Sequence, residues 1–590
     1  MKQMMSKAVL YCVFAMIVIV GTRAFSQSTS AGLTGQVTDI QGGTVAGAKV
    51  SVQNINTNLI QSVLTNAEGI YTLSPLPPGQ YIVSVGRQGF EKYVQEGLVL
   101  TVNQSATQNI VLHPGSVQET VRVTANAELI NTTSAELSTV VNEYAVTQLP
   151  LNGRDASSLV FLAPGVTNVL NSNGALQAGF SFPSETGGSA NGGRQGSTYY
   201  LLDGVPNMDN YLLLTAPFPN ADATQEFRVI TNNFDAHYGF APGAVVSIET
   251  KGGTNNFHGG VFEFLRNQDL NASNWFSHTV DPLKRNQFGA HVGGPILRNK
   301  LFFFASYQGT RSSSSSTANY VYTPTTAMLN GDFSGLATTP GVTNLNPAYG
   351  FATVGGKANQ INPNLLDKAA VAFDKAALPL GQSANGGVNY AGAPTINKLD
   401  EVTGKLDYTI SNTQRVSFRS FIDHLTQPSG DIPGNMLSVL NLNPWSMVMG
   451  ERMSYYNEAA THTWMINPTT VNVLSAFWTQ MSAHSSAAVT DASGKDLCLS
   501  NFINVNELPG QCYIEGFSVS GGFGSGWTEP SQELRTTYGL YDTFTKTIGN
   551  RTLSLGINLQ HQFAEEYTQY RRSPNSASMV AIPAAVLPTS

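Results

Sequence analysis

Residues 244–266 hold the pattern that most restricts what this chain can become. Ala244 to Thr250 alternates apolar and polar side chains, the period of a half-buried strand. Lys251-Gly252-Gly253-Thr254-Asn255-Asn256 is a turn cluster, and Phe257 to Arg266 is a second long, aromatic-rich run. Glu226 to Thr231 is a shorter β-like run just upstream. The same period of two recurs far downstream. Lys405, Asp407 and Thr409 alternate with Leu406, Tyr408 and Ile410, while Arg415, Ser417 and Arg419 alternate with Val416 and Phe418. Thr552, Ser554, Gly556, Asn558 and Gln560 alternate with Leu553, Leu555, Ile557 and Leu559. Such a chain must build sheets. Charged residues make up only 12% of it, against about 25% in ordinary soluble domains. No internal run approaches the ~20 apolar residues a membrane helix needs. A membrane barrel remains open to such a chain, because alternating strands give no hydropathy peak.

The N-terminus reads as an export signal. Lys2 and Lys7 precede the apolar run Ala8 to Val20, and Ala24-Phe25-Ser26 has the small residues of a cleavage site, so cleavage is expected after Ser26. Cys12 lies inside the apolar run. Cleavage removes Lys2, Lys7 and Arg23 and no acid, which makes a chain of net charge −7 more negative. An acidic, exported protein is a poor nucleic-acid binder. Cys498 and Cys512 are the remaining cysteines, in a Gly-rich stretch, and are candidates for one disulfide in an oxidising compartment. No catalytic motif emerges. There is no G-x-S-x-G elbow, no phosphate loop and no H-E-x-x-H, and the histidines are scattered, with His237 and His258 on different elements. Neither an enzyme nor a cofactor nor a metal site is expected.

From Ala31 to about Pro114, short strands recur between Gly, Pro and Asn turns, which predicts a β-sandwich. Gly47 to Val50, Asn66 to Tyr71, Leu76 to Tyr81 and Gly89-Phe90 carry the detail. These motifs resemble the carboxypeptidase-regulatory-like domain, a transthyretin-like sandwich of seven strands. The expected domain is 27–114. A sugar-binding role is one function its superfamily implies.

Glu119-Thr120-Val121-Arg122-Val123-Thr124-Ala125 follows a Pro-Gly break and alternates as a strand does. It resembles a TonB box, within a segment 115–125. A last strand of the sandwich is the competing reading. Leu149-Pro150-Leu151-Asn152-Gly153-Arg154 then matches an L-P-x-N-G-R signature, and Val140 to Leu149 reads as a short helix ended by Pro150. Arg194 precedes the apolar run Tyr199 to Leu202, which enters an Asp203-Gly204 turn. Together with Glu226, Tyr238-Gly239 and Thr250 to Gly259, these features resemble TonB-dependent outer-membrane receptors, specifically the Oar-like subgroup. The resemblance implies a plug domain over 126–252 and a plug–barrel junction at Lys251, Gly252, Gly253, Thr254 and Asn255. Arg154, Arg194 and Glu226 are the expected latches from plug to lumen-facing charges.

Asn286 to Gly309 is similar to the same family's barrel, and 253–590 reads as barrel strands with long loops near 311–395 and 484–530. Phe302-Phe303-Phe304 and Trp464 are expected at membrane interfaces. The alternation supports roughly nine or ten strands, against about 22 in such transporters, so a partial barrel of a truncated chain is expected. The fold class is mainly β: sandwich, α+β plug, partial transmembrane antiparallel barrel. The resemblance implies energised uptake of an unidentified substrate across a Gram-negative outer membrane. Its partners would be TonB with inner-membrane ExbB and ExbD, membrane lipid and an unknown ligand. A non-transporting surface or adhesion protein is the alternative, as is carbohydrate binding through the sandwich.

Overall fold

The computed structural model describes residues 30–568 except 116–119, 125–134, 169–181, 183–185, 195, 210–213, 240–241, 274, 276–279, 281, 315–318, 339–351, 355–356, 391–394, 429–449, 468, 487–489, 496, 498–516, 519–523, 526–530 and 549–550. The expected signal segment, Glu119, Ala125 and both candidate disulfide cysteines, Cys498 and Cys512, lie outside the described residues.

The first unit is built from β1 (Ala31–Asp39), β2 (Lys49–Asn54), β3 (Ile60–Leu64), β4 (Ile70–Leu76), β5 (Gly79–Gly86), β6 (Lys92–Leu100), β7 (Ser105–Thr107), β8 (Ile110–Leu112) and β9 (Thr120–Thr124). One sheet runs β4-β1-β7 with β8 also on β1, and the other runs β3-β2-β5-β6-β9. Alternate residues of each strand point into the gap, so Leu33, Val37, Val50, Val52, Leu73, Val83 and Val85 form one buried core. The Asn66 to Tyr71 motif has a local cause. The Asn66 side chain accepts N–H bonds from Glu68 and Ile70, at 3.1 and 2.8 Å. Gly69 sits at φ +71°, where a Cβ would lie 2.6 Å from the Val37 carbonyl oxygen. Where seven strands were expected, eight precede Pro114. The TonB-box-like run adds β9, which pairs parallel with β6 from Lys92↔Thr120 to Glu96↔Thr124.

The second unit is a globule of β10 (Leu137–Val141), α1 (Glu143–Gln148), β11 (Val166–Asn168), β12 (Gly188–Ala190), β13 (Thr198–Leu202), β14 (Val205–Pro206), β15 (Met208–Asp209), β16 (Leu214–Thr215), β17 (Thr224–Asn232) and β18 (Ala244–Thr250). Its five-stranded sheet runs β10-β17-β18-β13-β14. β13 and β18 are parallel neighbours, and β13 is buried along its whole length. The helix is shorter than expected. Val140 and Val141 are drawn into β10 by pairing with Arg228 and Phe227. Asn142 then caps α1, accepting from the Ala145 N–H at 3.0 Å.

The third unit is a wall. Its long strands are β19 (His258–Arg266), β20 (Lys284–Leu297), β21 (Leu301–Ser314), β26 (Thr395–Ser411), β27 (Gln414–Gln427), β28 (Gly450–Asn467), β29 (Thr470–Ser486), β32 (Ser531–Ile548) and β33 (Arg551–Thr568). They form a nine-stranded sheet, each paired with its neighbour in that order. The insert after β21 holds β22 (Asn319–Tyr322), β23 (Ala352–Val354), β24 (Lys357–Gln360), α2 (Lys368–Ala377) and β25 (Gly387–Tyr390), and the one after β29 holds β30 (Phe517–Ser518) and β31 (Gly524–Ser525). Four connections (β20–β21, β26–β27, β28–β29, β32–β33) are tight turns at one end, and the long inserts lie at the other.

The wall is inside out relative to a soluble sheet. On β26 the polar Glu401, Thr403 and Lys405 are buried, while Val402, Leu406, Tyr408 and Ile410 are exposed. The edge strand β33 is exposed on both faces, Leu553, Leu555, Ile557 and Leu559 on one and Thr552, Ser554 and Asn558 on the other. A polar face turned toward protein and an apolar face turned away is the signature of a membrane barrel strand. No helix among the described residues is long and apolar enough to cross a membrane. One expectation fails on the period of two: Phe302 and Phe304 point inward and are buried, and only Phe303 is on the outward face with Leu406, its cross-strand partner. Trp464, near the tight turns, is exposed on the outer face.

Candidate functional site between the globule and the wall

The globule lies against the polar face of the wall. Its strongest hold is the turn between β13 and β14. Asp203 and Gly204 have φ +47° and +85°, the double positive φ of a type I′ hairpin, which Asp-Gly suits. That turn aims the Asp203 carboxylate at the wall. One oxygen accepts from the Thr250 N–H at 2.9 Å and from Lys405 Nζ at 3.0 Å; the other accepts from Thr250 Oγ1 at 2.8 Å and Arg419 Nε at 3.2 Å. Glu249 Oε1 takes a second bond from Lys405 Nζ at 2.8 Å. Arg419 also donates to the Leu202 carbonyl at 3.2 Å and to Asn457 Oδ1 at 3.0 Å. Asn457 in turn donates to Pro206 O and Asn207 Oδ1. Burial alone would push the Asp203 carboxyl upward; Lys405, Arg419 and the Thr250 donors outweigh it and hold it below the usual carboxylate value. Lys405 and Arg419 are buried, Asp203 and Glu249 nearly so, and each charge is paired, the condition under which such a cluster is tolerated in a protein interior.

The Asn152-Gly153-Arg154 loop makes a second clasp. Asn152 Oδ1 accepts from Arg266 and Arg285, at 3.3 and 3.2 Å, and the Gly153 carbonyl accepts from Gln287 at 2.8 Å. Arg154 pairs with Asp222 of its own globule at 2.7 Å. Its guanidinium also lies over the rings of Phe262 and Phe264 on the wall, at 4.6 and 4.3 Å. It also donates to Gln308 of the wall at 3.5 Å and its charge acts on the buried Glu401, so it reaches the wall through aromatic faces and lumen-facing polar groups together. Further up the lumen, Asn220 donates to Glu401, Asp209 pairs with Arg535, and Tyr199 bonds Tyr541 at 2.6 Å. Met208 and Asp209 of β15 border a pocket of about 260 Å³ with Tyr455, Met481 and Arg535.

Two expected latches lie elsewhere. Glu226 does not face the lumen: its carboxylate accepts the N–H of Val102, in the β6–β7 turn of the sandwich. Arg228, beside it, donates to Thr101 at 2.8 Å, and Asn103 donates to Tyr238 Oη at 2.9 Å. Burial raises the Glu226 carboxyl, opposed by the Val102 N–H and Arg228. Arg194 is exposed and has no ion pair among the described residues.

The junction residues join all three units. Lys251 pairs with Glu143 of α1 at 2.7 Å. Gly253 passes so close to the wall that a Cβ would meet the carbonyls of Phe303 and Gly294. Asn255 donates its N–H to Asn56 O of the sandwich at 2.9 Å. Its side chain bonds Asn299 in the β20–β21 turn at 2.7 and 2.8 Å, and Asn58 reaches the same Asn299 at 3.0 Å. The sandwich thus sits at the tight-turn end of the wall. Among the described residues no group of three or more His, Cys, Asp or Glu is placed to hold a metal ion.

Sequence reasoning found Asp203 as a turn residue and Lys405 and Arg419 as members of alternating strands. It missed that they meet. The available signal was a cation at an inward strand position in a charge-poor chain.

The outer membrane beta barrel domain family model matches residues 249–578, and the carboxypeptidase regulatory-like domain matches 32–113. A TonB-dependent transporter, Oar, of Myxococcus xanthus is 28% identical over 315 residues, covering 49% of this chain and 27% of that protein. Similar solved structures include the outer membrane transporter YddB of Escherichia coli, at 10% identity and TM-score 0.41, covering 73% of this chain and 48% of that one. Another is the ferric-catecholate import receptor Fiu of E. coli, at 12% identity and TM-score 0.37, covering 78% and 64%. The chain spans about a quarter of the curated relative's length.

Proposed function

From the premise that the chain belongs to the outer membrane beta barrel domain family, whose model matches residues 249–578, we propose that it is a TonB-dependent outer-membrane receptor of the Oar-like kind. In this reading residues 126–252 are the plug, the wall from 253 onward is part of a barrel, and the sandwich 27–114 hangs in the periplasm. The tight turns face the periplasm and the long inserts face outward. Its task is energised uptake of a substrate recognised by the long loops and the plug's outer surface.

The observation that carries this reading is the inside-out wall whose buried polar face is latched by paired charges to a separate folded globule. Paired charges suit a removable plug. They are satisfied when seated, and each can return to water when the globule is displaced, which an apolar contact does only at a cost. The energy for that displacement comes from the inner-membrane proton gradient through TonB, with ExbB and ExbD. No nucleotide site is required in the receptor.

The TonB contact is assigned to Glu119–Ala125. Its described part, β9, is the edge strand of its sheet, paired among the described residues with β6 alone, which leaves its other edge for strand addition. The test uses single cysteines at Val121 and Val123 and a cysteine-bearing periplasmic domain of TonB. Disulfide capture at these positions, lost on deletion of Glu119–Ala125, is expected. Undiminished binding after the deletion overturns the assignment.

A further inference from the structure

Five adjacent wall strands place Arg311, Lys398, Thr426, Arg452 and His484 directly opposite one another: Arg311↔Lys398, Lys398↔Thr426, Thr426↔Arg452 and Arg452↔His484. Directly paired residues share one face of a sheet. Here it is the outer face, because Lys398 has the parity of the exposed Val402 and Leu406 and alternates with the buried Glu401, Thr403 and Lys405. Lys398, Arg452 and His484 are exposed. Arg311 holds Asp400 at 2.8 Å, whereas Lys398 and Arg452 have no acidic partner among the described residues.

Like charges directly opposite one another destabilise a sheet, and Arg311 faces Lys398. Asp400 matches Arg311, so the uncompensated positive charge of the row is that of Lys398 and Arg452, in a chain that is acidic overall. Its place along the strands is informative. Lys398 lies four residues beyond Val402 toward the long-insert end, roughly 13 Å along a strand. The row thus borders the exposed apolar band formed by Val402, Leu406, Tyr408 and Ile410. Cations at the margin of an apolar, outward-facing band meet a bilayer at headgroup depth.

We propose that this row binds the phosphate-bearing headgroups of an anionic membrane lipid, whose chains lie on the apolar band. The inference rests on the outer-membrane reading above. Its occupant is chosen by charge complementarity: several phosphates on one lipid match cations on neighbouring strands, about 4.8 Å apart per strand.

The test uses the full chain in mild detergent, with folding checked by circular dichroism and resistance to limited proteolysis. Binding is titrated with micelles doped with cardiolipin, a two-phosphate lipid, with phosphatidylcholine, and with inorganic phosphate alone. The variant is Lys398→Gln with Arg452→Gln, both exposed and outside the globule–wall contacts. Cardiolipin binding about thirtyfold weaker in the variant is expected, two cations each contributing about fivefold. Phosphatidylcholine binding should not differ between the two proteins. Equal cardiolipin binding by wild type and variant overturns the inference and leaves the outer-membrane reading standing. Equally tight binding of inorganic phosphate also overturns it, because the site is then one for a free anion. A chain that never enters a bilayer overturns both readings.

Discussion

Asp203→Asn tests the latch. The substitution keeps the size of the side chain and the Asp-Gly turn, and removes the one charge shared by Lys405 and Arg419. Removing one partner of a buried ion pair costs about 3–5 kcal/mol. Here the low end applies, because Lys405 keeps Glu249 and Arg419 keeps the carbonyl and side chain of Asn457. A loss of about 3 kcal/mol corresponds to about a hundredfold. The readout is amide hydrogen exchange at Thr250, whose N–H is bonded to Asp203, and along β13, while β28 and β29 serve as internal reference. Exchange there reports local opening of the globule from the wall. The expected result is acceleration by about a hundredfold at Thr250 and β13 with β28 and β29 unchanged. Acceleration of less than about threefold would mean that the Asp203 cluster does not hold the globule, and the reasoning from buried paired charge would be refuted.

Other contacts give separate tests. Glu226→Ala removes the acceptor of the Val102 N–H, and loss of a buried charge-assisted bond of about 2 kcal/mol should release the sandwich; protease cleavage between residues 113 and 137 should rise by about thirtyfold. Gly253→Val forces a side chain against the Phe303 and Gly294 carbonyls; a cost of about 3 kcal/mol should speed amide exchange in β20 and β21 by about a hundredfold. The two carboxylates should respond oppositely to acid. Asp203 is held below its ordinary value, so its stabilisation is full above the unfolded value near 3.8 and is lost only as pH falls through its lower folded value; exchange at Thr250 should not change between pH 7 and 5. Glu226 is raised above 4.5, so the folded state retains its proton longer and the sandwich contact weakens as pH rises through that range; cleavage between 113 and 137 should be slower at pH 5 than at pH 7.

Local order was legible in the sequence and long-range partners were not. β18 appears with the ends its alternation implies, and β26 turns Leu406, Tyr408 and Ile410 outward as a barrel strand must. The Asn152-Gly153-Arg154 motif has a structural cause, since its loop seats on Arg266, Arg285 and Gln287. The Asp203 cluster was hidden because its members lie about two hundred residues apart, and each one alone satisfies an ordinary turn or strand pattern. Glu226 was assigned to the wrong neighbour for another reason: its partner is a backbone N–H, and any residue supplies one. The helix start moved because Val140 and Val141 suit a strand as well as a helix, and pairing with β17 decided between them. Phe302 and Phe304 followed the period of two rather than their aromatic character.

The central claim is that the apolar face of the wall meets lipid while its polar face, from β26 to β32, is covered by the globule. Spin labels at single cysteines, with Cys498 and Cys512 replaced by serine in the exported chain, test it in reconstituted membranes. Labels at Val402, Leu406 and Tyr408 should be relaxed by oxygen dissolved in lipid and not by a water-soluble nickel reagent. A label at Thr403 should be reached by neither. Nickel access at Val402, Leu406 and Tyr408 equal to that of a label on an exposed sandwich residue such as Ile40 would contradict the account, because the wall would then stand in water.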